Sequence, residues 1–137
     1  MKMKVWIEGT DEIARNIRKM GAALRSSTLV PIMVEHLEPM AEDMRAHAAR
    51  RSGQMANSVT VSQELSPAQE ASHVPIAEIE VNVGPGPLPQ VIAEEFGNFR
   101  QSPNPFIRPA FDSNVDTAMR GIAEDGIDAA LKAGRKG

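Results

Sequence analysis

The chain's ring-nitrogen chemistry rests on His36, His47 and His73, and it has no cysteine. Asp43 and His47 stand four apart, so on a helix they share a face and offer two metal ligands. A metal site needs three or four. No third ligand is indicated, and the pair reads as a solvated helix face. His73 falls in a polar stretch with no nucleophile at a catalytic spacing. Glu94 and Glu95 are adjacent and diverge on a helix, so they do not form an acid–base pair around one bond. Gly84-Pro85-Gly86-Pro87 is glycine-rich, yet it lacks the Lys-Ser/Thr ending of a phosphate loop, and its prolines remove the N–H groups that cradle phosphate. It reads as a stiff connector. Without cysteine there is no disulfide framework, thiol catalysis, zinc ribbon or iron–sulfur ligation. The expectation is a non-enzyme with no cofactor, no metal and no small-molecule substrate.

Charge narrows the partners. The net charge is −3 and the pI about 5.6, against a general nucleic-acid binder, which concentrates Lys and Arg on one face. Two basic groups stand out: Arg45, Arg50 and Arg51, and the tail Lys132, Arg135 and Lys136. Helix dipoles favour cations at C-termini, which accounts for both. The alternative is contact with nucleic acid or an acidic partner, multiplied by copy number in a ring.

The most unusual segment carries Glu95-Phe96-Gly97-Asn98-Phe99 and then Pro103-Asn104-Pro105-Phe106-Ile107-Arg108-Pro109-Ala110-Phe111-Asp112. Four of the five aromatic residues lie within the sixteen positions from Phe96 to Phe111, and eight of the ten prolines lie between Pro67 and Pro109. Such a stretch either pins a long loop to the domain or presents a preformed interaction surface. Proline lowers the entropy lost on docking, and phenylalanine supplies area to bury.

The elements that position this segment follow from periodicity. With 137 residues, 42% hydrophobic and 24% charged, the chain is expected to form one soluble domain, 1–137. A flexible end is expected at about 133–137. No apolar run is long enough for a membrane span, and the N-terminus lacks a signal-peptide core. Residues 2–8 alternate like a half-buried strand. Ile13, Ile17, Met20 and Leu24 form a helical stripe, with Thr10 as its cap. Met33, Leu37, Met40, Met44 and Ala48 form a second stripe, with Pro31 in its first turn and Pro39 predicting a kink or restart. Ser26-Ser27-Thr28 offers its cap, and Gly53 a left-handed stop. Residues 57–65 and 74–83 alternate as two antiparallel strands joined by a polar connection, 66–73. Residues 90–96 suit one or two helical turns stopped at Gly97, and 102–109 an extended run. A last helix is expected from about Ala110 to Ala133; Gly121 and Gly126 each weaken it, so either a neighbouring backbone packs close there or the helix is marginal alone and is secured by a partner. The fold class is therefore α+β: a small antiparallel sheet packed against two or three helices, with a long Pro/Gly/Phe-rich loop region.

The Glu95-Phe96-Gly97 turn followed by Pro-x-Pro-Phe-Ile-Arg-Pro-Ala-Phe-Asp and a C-terminal helix resembles a family of small virion proteins of long-tailed bacteriophages. These are the head–tail junction proteins described as neck, tail-completion or minor tail components. The short first strand, the helical region to Arg51 and Ser52-Gly53-Gln54-Met55-Ala56-Asn57-Ser58-Val59 are similar too, so the likeness runs over nearly the whole chain in order. The chain departs from the family in its mild acidity, in Val91-Ile92-Ala93-Glu94 where the family is aromatic-rich, and in Ala49-Arg50-Arg51-Ser52-Gly53 for the family's Pro-x-x-Thr-Gly.

The resemblance implies a non-enzymatic structural subunit of a homo-oligomeric ring, a hexamer or dodecamer, that joins a filled head to a tail. Its partners would be further copies of itself and the neighbouring neck, connector and tail proteins, with passive contact to DNA in the channel. It would sit in the virion, after assembly in the host cytoplasm. Phe96, Phe99, Pro105, Phe106, Arg108 and Phe111 would lie in or beside subunit contacts, and Glu95 and Gly97 would shape the turn. Tail-terminator and head-closure proteins are near rivals. A soluble regulatory module using the Phe/Pro surface, and a small hydrolase using His73 or Asp43, are readings of other classes.

Overall fold

A computed structural model describes residues 10–48 and 53–135. The strand expected at residues 2–8, Arg50 and Arg51 lie outside those ranges. In chain order come α1 (Thr10–Ala23), α2 (Ser26–His47), α3 (Gln54–Ser58), β1 (Thr60–Ser62), α4 (Pro67–Ser72), β2 (Asn82–Gly84), α5 (Pro89–Phe96) and α6 (Ile107–Arg135). The fold is α+β, with a two-stranded antiparallel sheet among the described residues.

The spine is the pair α2 and α6. Leu29 faces Gly126, His36 faces Gly121 and Asp125, and Asp43 bonds Asn114 at 2.9 Å. Rising numbers on one helix meet falling numbers on the other, so the two run antiparallel. α1 packs on α6 where Met20 and the carbonyl of Asn16 meet Gly134. The core sits at the C-terminal half of α2. Met40, Ala41, Met44 and Ala48 pack there with Met55, Val59, Val91, Phe106 and Ala110, and Val61 and Val83 of the sheet close over it. The Arg45 guanidinium donates twice to the Val59 carbonyl, at 2.9 and 3.3 Å, and pairs with Glu38 at 2.6 Å and Glu42 at 3.2 Å. This arginine ties the junction of α3 and β1 to α2.

Four expectations need correction. First, α2 begins at Ser26 and does not restart at Pro39. Pro31 lies beyond its first turn, the residue before the helix is Arg25, and no side chain caps it. Pro31 and Pro39 are both exposed, so water can replace the bonds they forgo. Second, the two strands pair as expected, with Val61 opposite Val83, but each spans three residues. Residues 57–58 belong to α3, and the connection folds into α4 behind a Ser66/Gln69 capping box.

Residues 74–81 leave the ladder because Glu80 takes the N–H groups of Ile76 (2.6 Å) and Ala77 (3.1 Å) and meets His73 at 2.8 Å. The Ala77 and Ile76 amides, with His73, hold the Glu80 carboxyl below its ordinary range. Third, α6 starts at Ile107, takes in Pro109 and runs on to Arg135. Fourth, the neighbour at Gly121 is a side chain, not backbone: a Cβ there would collide with the His36 ring.

The α1 stripe is helical as expected, yet Ile13, Ile17 and Leu24 are exposed. Phe106, by contrast, is fully buried at 0%. Truncating Phe106 to alanine should therefore cost about 3–5 kcal/mol of folding stability, measured by urea unfolding. A loss under 1 kcal/mol would mean that this ring is not core.

Candidate assembly surface

The corner between α5 and α6 is built around one carboxylate. Glu95, 9% exposed, lies on the inner side of α5. Its Oε2 accepts the N–H groups of Phe106 (2.8 Å) and Ile107 (2.9 Å), and its Oε1 accepts that of Arg108 (3.0 Å). A helix start leaves its first N–H groups without partners. Here three are met by Glu95, and the next residue, Pro109, has none to offer. The negative charge also lies at the positive end of a 29-residue helix. Burial alone raises the Glu95 carboxyl, but the Ile107, Arg108 and Phe106 amides and the Arg108 charge outweigh it and hold it below the usual range.

The turn expected from Glu95 and Gly97 is thus present, with different parts for the two. Glu95 joins two helices. Gly97 makes the bend: its φ is +73°, and a Cβ would sit 2.7 Å from Pro103 Cδ. Only glycine meets both demands.

Beyond Gly97 the chain is fastened, not loose. The Asn98 side chain accepts the Arg100 and Gln101 amides at 2.8 and 3.0 Å, and Asn98 N–H reaches the Gln101 carbonyl at 3.0 Å. Asn104 binds Glu94 through side chain and backbone, both at 2.7 Å, and Gln101 donates to the Ala93 carbonyl at 3.1 Å. This scaffold holds Phe96 74% exposed and Phe99 92% exposed. The Arg100 guanidinium lies 5.1 Å from the Phe99 ring centre, a cation–π pair at the loop tip. Beside it, Met40, Met44, Phe96, Pro105, Ile107 and Phe111 line a groove of about 530 Å³, with Arg108 and Asp112 among its polar walls.

The structure therefore brings Phe96, Pro105, Arg108 and Phe111 together around one groove, with Phe99 on the adjoining tip. Phe106 is the correction: it faces inward as the keystone of the core and is not a contact residue of this surface. The Glu95 anchor role was missed because its partners lie eleven to thirteen residues ahead, far outside the three-residue spacing of a capping box.

The other candidate chemistry is spoken for. His47 Nδ1 lies 2.9 Å from both the Asp43 side chain and its carbonyl, and Asn114 binds the other Asp43 oxygen. Among the described residues one trio, Glu35, His36 and Asp125, brings ligand-type atoms within 4.8 Å of one another. Sequence spacing did not reveal it, because Asp125 arrives from another helix. His36 is engaged with Asp125 across α2 and α6, and both carboxylates are exposed.

Comparison with protein-family models, with curated proteins and with solved structures finds no match for this chain.

The lowered Glu95 carboxyl has a definite pH signature. A carboxylate held low in the fold contributes stability in full above the ordinary glutamate range, and loses it as pH falls through the folded value. Glu95→Gln should cost about 2–4 kcal/mol at pH 7, since charged hydrogen bonds are replaced and a donor meets a donor. The variant should also lose less stability than wild type between pH 5 and pH 3. Urea titrations across that range check both. Equal stability of the two proteins at pH 7 would contradict the anchor role.

Proposed function

We propose that this chain is a non-enzymatic structural subunit at the bacteriophage head–tail junction, a neck or tail-completion component that assembles as a ring. The observation that carries the reading is the rigid display of Phe96 and Phe99. Large apolar side chains at 74% and 92% exposure are costly on a surface that stays wet. A loop held by this many hydrogen bonds has also lost, before docking, the entropy that docking would otherwise cost. The likeness of Glu95-Phe96-Gly97 and Pro105-Phe106-Ile107-Arg108-Pro109-Ala110 to the junction family gives the surface a setting. In that setting Glu95, Gly97 and Phe106 build the corner, and Phe96, Phe99, Pro105, Arg108 and Phe111 make the contacts. Among the described residues no helix is long and apolar enough to cross a membrane, and virion residence follows from the same reading.

Removing both exposed rings tests the division of labour. Phe96→Ala with Phe99→Ala should leave folding stability within about 1 kcal/mol of wild type, because neither ring is core, while incorporation into particles fails. Mass spectrometry of purified virions, with cryo-EM of the head–tail region, reads the second outcome. A ring between portal and tail tube, lost in the double variant, is the expected result. Absence of the wild-type chain from intact particles would overturn the reading and leave a soluble partner for the same surface.

A further inference from the structure

The molecule carries a second apolar face far from the Phe corner. Ile13 and Ile17 on α1, Leu24 just after it, and Ile127 and Leu131 on α6 are 39–62% exposed. Met20 of α1 meets Gly134 of α6, which brings the two helices together beside Leu131. Ile127 and Leu131 are four apart and share a helix face. Along α6, Phe111 and Leu131 are separated by about 30 Å at 1.5 Å per residue. One patch therefore lies at each end of the spine.

The chain as a whole exposes more area than a compact monomer of its mass. The whole chain exposes 10163 Å², whereas a compact monomer of 14.8 kDa exposes about 7000 Å². Allot the fifteen residues outside the described ranges a fully unfolded chain's ~2300 Å². The remainder still exceeds a compact chain of its size by about 1400 Å². A standard interface removes about 800 Å² from each partner, so a subunit touching two neighbours loses about twice that.

Charge is mixed on both surfaces: Asp112 lines the groove with Arg108, and Arg18 and Lys132 adjoin Ile17 and Leu131. Arg100 and Arg108 are exposed at the Phe corner. Glu124 and Asp128 flank Ile127 at three residues before and one after. Lys132 answers Asp128 at 3.0 Å, and Glu124 has no ion pair among the described residues.

We infer that copies of this chain join head to tail, the Phe96/Phe99 corner of one seating on the Ile13/Ile17/Ile127/Leu131 face of the next. Contacts between two different patches close into a ring when the rotation allows. The inference rests on the ring reading above and names the surfaces that meet.

The test uses two charge-insertion variants, Phe99→Glu and the double Ile17→Glu/Ile127→Glu, measured by light scattering after size exclusion. Wild type should form one closed oligomer. Each variant alone should associate about 30-fold or more weakly, as for a lost hot spot, and run as monomer. Mixed at equal amounts they should form a heterodimer and nothing larger, since each supplies the one intact patch the other needs. Where circular dichroism shows that a glutamate variant has lost helix, the corresponding alanine variants replace it.

A monomeric wild type, a closed oligomer from the Ile17/Ile127 variant alone, or a mixture that stays monomeric would each overturn the inference. A virion ring that still closes in the Ile17/Ile127 variant sinks the head-to-tail pairing and spares the junction reading. A head-to-tail oligomer absent from particles does the reverse.

Discussion

The three backbone bonds accepted by Glu95 hold together the part of the molecule that matters. They tie the inner side of α5 to the first turn of α6, and with α6 they tie the corner to the spine. Removing the carboxylate would leave three amides at a buried helix start without partners, each a desolvation cost of about 1–3 kcal/mol. Phe106 is set in place by the same contact, since its own N–H is one of the three. Its ring then enters the core against Met40 and Met44. One acidic side chain thus links core packing, helix initiation and the orientation of the exposed loop.

That link explains why Phe96 and Phe99 can face water without the loop collapsing over them. Gly97 bends the chain outward, and Pro103 fills the space a side chain would need. Asn98, Gln101 and Asn104 spend their amides on neighbouring backbone and on Glu94. A flexible loop with two phenylalanines would fold them inward. A fastened loop cannot, and its apolar rings stay exposed.

Much of this was legible in the sequence, and the losses have physical causes. The helical registers of α1, α2 and α5 and the Gly97 stop are local properties of spacing and of glycine. The Val61 and Val83 faces named the right strands, but alternation overstated their length. The Ile76 and Ala77 amides are drawn off by Glu80, a competition that a two-residue period does not register. Phe106 looked like its neighbours because burial here depends on a carboxylate eleven residues back. His36 over Gly121 was invisible for a similar reason: the glycine announced a close approach, while the identity of the visitor depended on how two helices pair.

A small core, long helices and two exposed apolar ends are the physical basis of the proposed assembly. The central claim is that the Phe corner is formed before any partner arrives. Hydrogen exchange on the free subunit, held at concentrations where it is monomeric, measures this most directly. Amides of Phe106, Ile107 and Arg108, with those of Arg100 and Gln101, should exchange far more slowly than in an unfolded chain, and the first three should lose protection together in Glu95→Gln. Exchange of these amides at unfolded-chain rates in the free wild type, with protection arising only on assembly, would contradict the account.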